Sequence, residues 1–108
     1  MKRRYLGVRV RSAGEGPSLR YVHGEILRAL AQLFGQVGTA RAAIKLMWSD
    51  ESLGVLIIRC SLGSLWKVLL AISTVSTVED RAVALDVVTT SGSVRKVKER
   101  LSAAPNHS

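Results

Sequence analysis

RAAIKLMWSDESLGVLIIRC, residues 41–60, is the stretch on which the fold turns. Its first half alternates: Ala42, Ile44, Leu46 and Trp48 share one parity, while Arg41, Lys45, Met47 and Ser49 share the other. A period of two marks a strand with one buried face. Ser49-Asp-Glu-Ser52 is a polar turn, in which the acidic residues serve as turn formers. Val55 to Cys60 is apolar and rich in β-branched residues, the composition of a central strand. The stretch therefore predicts a hairpin, and a helical pattern flanks it on each side. Before it, Leu19, Val22, Ile26, Leu30, Leu33 and Val37 recur at spacings of three and four; after it, so do Leu62, Leu65, Trp66, Leu69 and Ile72. Such spacings predict amphipathic helices with one apolar stripe.

Working outward, Ser18 is a candidate cap for the first helix, and Gly35 or Gly38 its end. Ser61 or Ser64 can cap the second. Residues 3–11 alternate again, with Leu6, Val8 and Val10 opposed to Tyr5, Gly7, Arg9 and Arg11. Ser73 to Asp80 reads as a polar connection, and Val83, Leu85, Val87 and Thr89 as one face of a fourth strand. Ser91-Gly-Ser93 is a break, after which Val94, Val97 and Leu101 form the stripe of a last helix. The order βαββαβ plus a C-terminal helix predicts an α+β, ferredoxin-like sandwich with a four-stranded antiparallel sheet. Its first and third strands lie in the middle and the fourth lies beside the first. Residues 1–102 form a single domain in this reading, and 103–108 a frayed tail.

Composition narrows the function classes. A chain of 108 residues with 47% apolar content is built for one core, which excludes a two-lobed enzyme. The single cysteine excludes an intrachain disulfide and a multi-cysteine zinc site, and two histidines make no metal cage. The longest apolar run, Val68 to Ile72, is far too short for a membrane span, so no membrane partner is expected. The basic start at Lys2-Arg3-Arg4 leads into no uninterrupted apolar region, and a cytoplasmic location follows as the expectation. The formal net charge of +8 calls for an anionic partner.

No catalytic constellation emerges. Gly14-Glu-Gly16 with Arg20 lies where acylphosphatases bind phosphate, but the sole asparagine, Asn106, is in the tail. Cys60 sits in an apolar strand as a structural thiol, and His23 has no partner motif. The basic residues cluster instead: Lys2, Arg3, Arg4, Arg9 and Arg11 precede the first acid, and Arg95, Lys96, Lys98 and Arg100 enclose only Glu99. Arginine outnumbers lysine 11 to 5, which favours forked phosphate contacts. These residues apart from Arg100, with Lys45, Arg59, Ser91 and Gly92, are the candidate RNA-binding set. Lys2, Arg3 and Arg4 are expected to meet Arg95 and Lys96 where the end of the fourth strand abuts the start of the first. Base stacking on the open sheet is poorly equipped, because Tyr5 is its only aromatic on the first strand. Met47, Val55, Ile57 and Val88 would form an apolar patch there, covered by the C-terminal helix or by a protein partner.

Four segments in register resemble the family of archaeal ribonuclease P protein component 2, counterpart of the eukaryotic Pop-five subunit. They are Arg3-Arg-Tyr-Leu6, Phe34-Gly-Gln-Val-Gly-Thr-Ala-Arg41, Gly54-Val-Leu-Ile-Ile-Arg-Cys60, and Ser91-Gly-Ser-Val-Arg95 with its basic helix. Val78-Glu-Asp-Arg81 departs from the family's Ile-Asp-Gly-Arg, and Thr89-Thr90 from a common Gly-Val. The resemblance implies a non-catalytic subunit acting with ribonuclease P RNA on precursor tRNA. It further implies pairing with protein component 3, leaves room for other subunits or a homodimer, and assigns magnesium to the RNA, with no cofactor held by the protein. Two other classes stand beside it: a general RNA-binding protein of translation or ribosome assembly, and a small acylphosphatase-like enzyme or ligand-binding domain.

Overall fold

The structure is a computed structural model and describes residues 2–103. The chain runs β1 (Arg3–Ser12), α1 (Leu19–Ala42), β2 (Lys45–Asp50), β3 (Val55–Ser61), a single 3-10 turn at Leu62–Ser64, α2 (Leu65–Thr74), β4 (Thr77–Val78), β5 (Arg81–Ser91) and α3 (Val94–Ala103). The sheet is antiparallel throughout, in the order β2-β3-β1-β5-β4. β3 and β1 lie in the middle and β5 beside β1, as the hairpin reading requires.

The sheet has five strands and not four. The extra one, β4, lies in the segment read as a polar connection, where Thr77 and Val78 pair with Ala82 and Arg81. Glu79 and Asp80 make the turn, both with positive φ, at 53° and 64°. A two-residue hairpin turn of this kind demands left-handed backbone, which L-residues adopt at a cost. Without the usual glycine, the segment carries no turn signature. Asp80→Gly is therefore expected to raise stability by about 0.5–1 kcal/mol, and Asp80→Ala to lower it. Urea midpoints of the two variants check both signs.

Two bulges change the faces that alternation predicts. Leu46 pairs with Ile58 but Trp48 with Ile57, so Met47 is an extra residue in β2. Gly7 pairs with Thr89 but Val8 with Val87, so Val88 is extra in β5. An inserted residue shifts parity for everything after it. Trp48 thus leaves the set of Leu46 and joins the opposite side of the sheet, and Thr89 leaves the set of Val87.

The main core lies between the sheet and the α1–α2 layer. Leu6, Val8, Leu56, Ile58 and Cys60 meet Leu19, Val22, Ile26 and Leu30 of α1 and Val68, Ala71 and Ile72 of α2. The predicted helix stripes are only partly right. In α2 the buried residues are Val68, Ala71 and Ile72, while Leu62, Trp66 and Leu69 face solvent. The first segment of α1 does break at Gly35, at φ 72°, and a second helical segment follows it to Ala42. The predicted stripe leaves the core already at Leu33, and Val37 beyond the kink is exposed, while Ala42 is buried in the core again. None of the predicted serine caps of α1 and α2 makes a side-chain capping hydrogen bond to its helix. At α1, Glu51 supplies the acceptor instead, its Oε2 receiving the Leu19 N–H at 3.1 Å.

On the other face α3 covers the sheet. Val55, Ile57, Val97 and Leu101 form a second buried cluster, with Tyr5, Met47, Trp48, Val88 and Val94 at its margin. The apolar patch read as a surface for this helix or a partner is covered by the helix, and Val55 and Ile57 have no surface left for a partner. Gly7 permits this approach: a Cβ there would lie 2.8 Å from Val97 Cγ1. At the far end of α3, the Arg9 guanidinium donates to the Leu101 carbonyl at 3.3 Å. A cation at a helix C-terminus is favoured by the helix dipole.

Candidate nucleic-acid interface

The start of β1 and the end of β5 are neighbours, because Tyr5 pairs with Ser91. Three short links then build the start of α3. Ser91 Oγ accepts the Ser93 N–H at 3.2 Å, Ser93 Oγ accepts the Lys96 N–H at 3.3 Å, and the Ser93 carbonyl accepts the Val97 N–H. Ser93 is thus the N-cap, and Arg95 and Lys96 occupy a first turn that has no acid. Gly92 lets Arg4 reach this turn: a Cβ at Gly92 would lie 3.3 Å from Arg4 Nη1. That guanidinium also donates to the Arg3 carbonyl at 3.0 Å.

A row across the sheet extends the same edge. Lys45 pairs with Arg59, Arg59 with Tyr5, and Tyr5 with Ser91. Arg59 is half-buried, and its Nε has no hydrogen-bond partner. Arg3 pairs with Ser61, and the Lys2 carbonyl accepts the Leu62 N–H at 2.9 Å. Lys2, Arg3, Arg4, Lys45, Arg59, Ser91, Gly92, Arg95 and Lys96 therefore share one end of the sheet. Two cations absent from the sequence-derived set border it. Ser61 Oγ donates to the Arg41 carbonyl, which brings the end of α1 beside Arg3. Arg100 donates to Thr89 Oγ1 at 2.6 Å on the β5 side. Arg41 is easily read as a helix-terminal cation, and nothing local to the sequence shows that α1 ends at this edge.

Three members of the set are engaged elsewhere. Arg9 holds the C-terminus of α3, and Arg11 forms an ion pair with Asp86, whose carboxyl is held below its ordinary range by that hydrogen bond. Lys98 Nζ lies 5.0 Å over the Trp48 ring. These contacts draw part of the cationic charge into the fold.

The opposite end of the sheet is a broad depression lined by Ala13–Pro17, Glu51–Gly54 and Ala82–Ala84. This is where an acylphosphatase would hold phosphate. Here the start of α1 is already occupied by the Glu51 carboxylate, and Arg81 donates to the carbonyls of Glu15 and Gly16. An anion entering would meet a carboxylate where it needs free N–H groups.

The remaining reactive groups are buried. Burial pushes the Cys60 thiol up to about 11, so almost no thiolate is present near neutral pH. His23 is half-buried, its Nε2 lacks a partner, and desolvation lowers its pKa below the ordinary 6.5. In the unfolded chain it takes up a proton first. Stability is thus fully present above about pH 6.5 and falls as the pH drops from there through the lower folded-state value. His23→Gln is expected to flatten the melting temperature between about pH 5.5 and 7. A parent curve already flat in that window would show that the ring is solvated.

The sequence profile of the Rpp14/Pop5 family matches residues 4–102, from the basic start of β1 to the end of α3. The chain belongs to the Rpp14/Pop5 family. Ribonuclease P protein component 2 of Methanoculleus marisnigri is 27% identical over 100 residues, 93% of this chain and 61% of that protein. The chain thus spans about three fifths of the length of this relative. A chain in the cryo-EM structure of yeast ribonuclease MRP shares the fold, with a TM-score of 0.69 at 13% identity over 95% of this chain and 93% of that one. The Rpp14/Pop5 match covers the helix that roofs the sheet and the basic edge from Arg4 onward. Among the described residues, no helix is long and apolar enough to cross a membrane.

Proposed function

We propose that this Rpp14/Pop5 protein is a non-catalytic subunit of ribonuclease P. In this reading it binds the catalytic RNA through the basic edge and supports 5′-end maturation of precursor tRNA. The observation that carries the reading is the convergence of Lys2, Arg3 and Arg4 with Arg95 and Lys96 at the N-terminal turn of α3. Helix amides and forked cations suit phosphates, which position an RNA without reading its bases. The self-occupied start of α1 speaks against the acylphosphatase-like alternative. Protein component 3 is the expected protein partner, the cytoplasm the expected location, and magnesium is held by RNA phosphates.

Reconstitution tests this directly. The catalytic RNA and component 3 are combined with and without this chain, and cleavage of precursor tRNA is scored. The chain is expected to raise the rate and to cleave nothing by itself. Magnesium-dependent cleavage by RNA-free protein would overturn the non-catalytic role, and an unchanged rate would remove the subunit role.

A further inference from the structure

We infer that the outer face of α1 and α2 is a docking surface for a partner protein offering an apolar ridge edged with carboxylates, an inference that rests on the subunit reading above. The α1 kink builds this face. Gly35 supplies the positive φ, and Gly38 permits close approach, since a Cβ there would lie 2.7 Å from Phe34 Cβ. Phe34 in turn meets the Trp66 ring edge-on at 5.5 Å, joining the two helices. Around this contact Val37 is 68% and Trp66 59% exposed, with Leu33, Leu62, Leu69 and Leu70 also in solvent. The spacings 33 to 37, 62 to 66 and 66 to 70 place these side chains on common helix faces. Scattered exposed hydrophobes need no explanation, whereas a contiguous patch across two helices marks an interface. An exposed tryptophan is the usual anchor of one.

Charge selects the occupant. No Asp or Glu occurs from Arg28 to Ala42 or from Leu62 to Thr74, and the cations there are Arg28, Arg41 and Lys67. Arg28 is held by Glu25, but the Lys67 ammonium lies 5.5 Å from the Phe34 ring and 5.7 Å from the Trp66 ring, inside the patch. A second copy of this chain would set cation against cation. An RNA would gain little from the aliphatic side chains. A protein with carboxylates around an apolar ridge satisfies both the patch and its charge.

Titration calorimetry of the full chain against purified component 3, with parallel binding to the catalytic RNA, tests the surface. Val37→Glu changes an exposed side chain and is expected to keep the melting temperature, Trp66→Glu to lower it only by the lost Phe34 contact, and both to keep RNA affinity. Affinity for component 3 is expected to fall at least about 30-fold with Trp66→Glu, and to fall with Lys67→Glu as well. Parent affinity in Trp66→Glu would overturn the surface. So would a dimer of this chain that Trp66→Glu dissolves, or loss of RNA binding in its place. A chain that binds the RNA but not component 3 overturns this docking alone. Failure to bind either overturns the subunit reading itself.

Discussion

Ile57→Asp is expected to remove most of the stability of the chain. Ile57 is 0% exposed, on the central strand β3, with Val97 and Leu101 of α3 in its cluster. The substitution deletes about 2–3 kcal/mol of apolar burial and sets a carboxylate among the apolar side chains of the second cluster. Breaking buried polar balance in this way costs roughly 3–5 kcal/mol more. A domain of this size holds about 5–15 kcal/mol in all. Ile57→Val, which only trims a methylene, should cost about 1 kcal/mol. Trp48 borders the same cluster, so its fluorescence reports the change during urea unfolding. A soluble Ile57→Asp protein with the parent's midpoint would mean that α3 leaves this face in solution and that the patch is free for a partner.

How far the fold can be read from the sequence depends on whether each signal is local. The hairpin at 41–60, the period of residues 3–11 and the stripe of Val94, Val97 and Leu101 are repeated patterns, and the structure follows them. What escapes are events of one residue. The bulge at Met47 moves Trp48 across the sheet, and its extra residue has no compositional mark. The hairpin at Glu79-Asp80 lacks the glycine that would announce it. The exposed Val37 and Trp66 have the same apolar character as core residues, so spacing alone points them inward.

The interface is legible in a similar way. Cationic clusters stand out along the chain, but which cations remain free is settled by long-range contacts. Arg11 and Asp86 lie far apart in sequence, and only the β1–β5 register makes them partners. The same register brings Lys2, Arg3 and Arg4 to α3, because the fourth long strand lies antiparallel beside the first. That part follows from the sheet order alone. The engagement of Arg9 with the Leu101 carbonyl does not, since it requires knowing that α3 lies across the sheet.

Removing the charge of Arg3, Arg4, Arg95 and Lys96 together, by substitution with Gln, is expected to weaken RNA binding sharply while sparing the fold. For every phosphate that is no longer neutralised, the slope of log affinity against log salt becomes shallower by roughly 0.7–0.9. Four such phosphates would change that slope by about 3 and affinity at low salt by orders of magnitude. The direction of the stability change separates this from damage to the structure. Arg95 and Lys96 lie in the first turn of α3, where the helix dipole opposes a cation. Neutralising them should leave the stability unchanged or raise it, by about 0.3–1 kcal/mol for each residue. Charges that strain a helix in the free protein, yet whose removal weakens an RNA complex, are placed for a phosphate. The matched control is Arg9→Gln with Arg11→Gln. Those two side chains already serve the Leu101 carbonyl and Asp86, so the pair should lower stability more than it lowers RNA affinity. Filter binding across a salt series reads both variants. A quadruple variant that kept the parent's slope would move the RNA surface to the row of Lys45 and Arg59 and to Arg41 and Arg100 beside it.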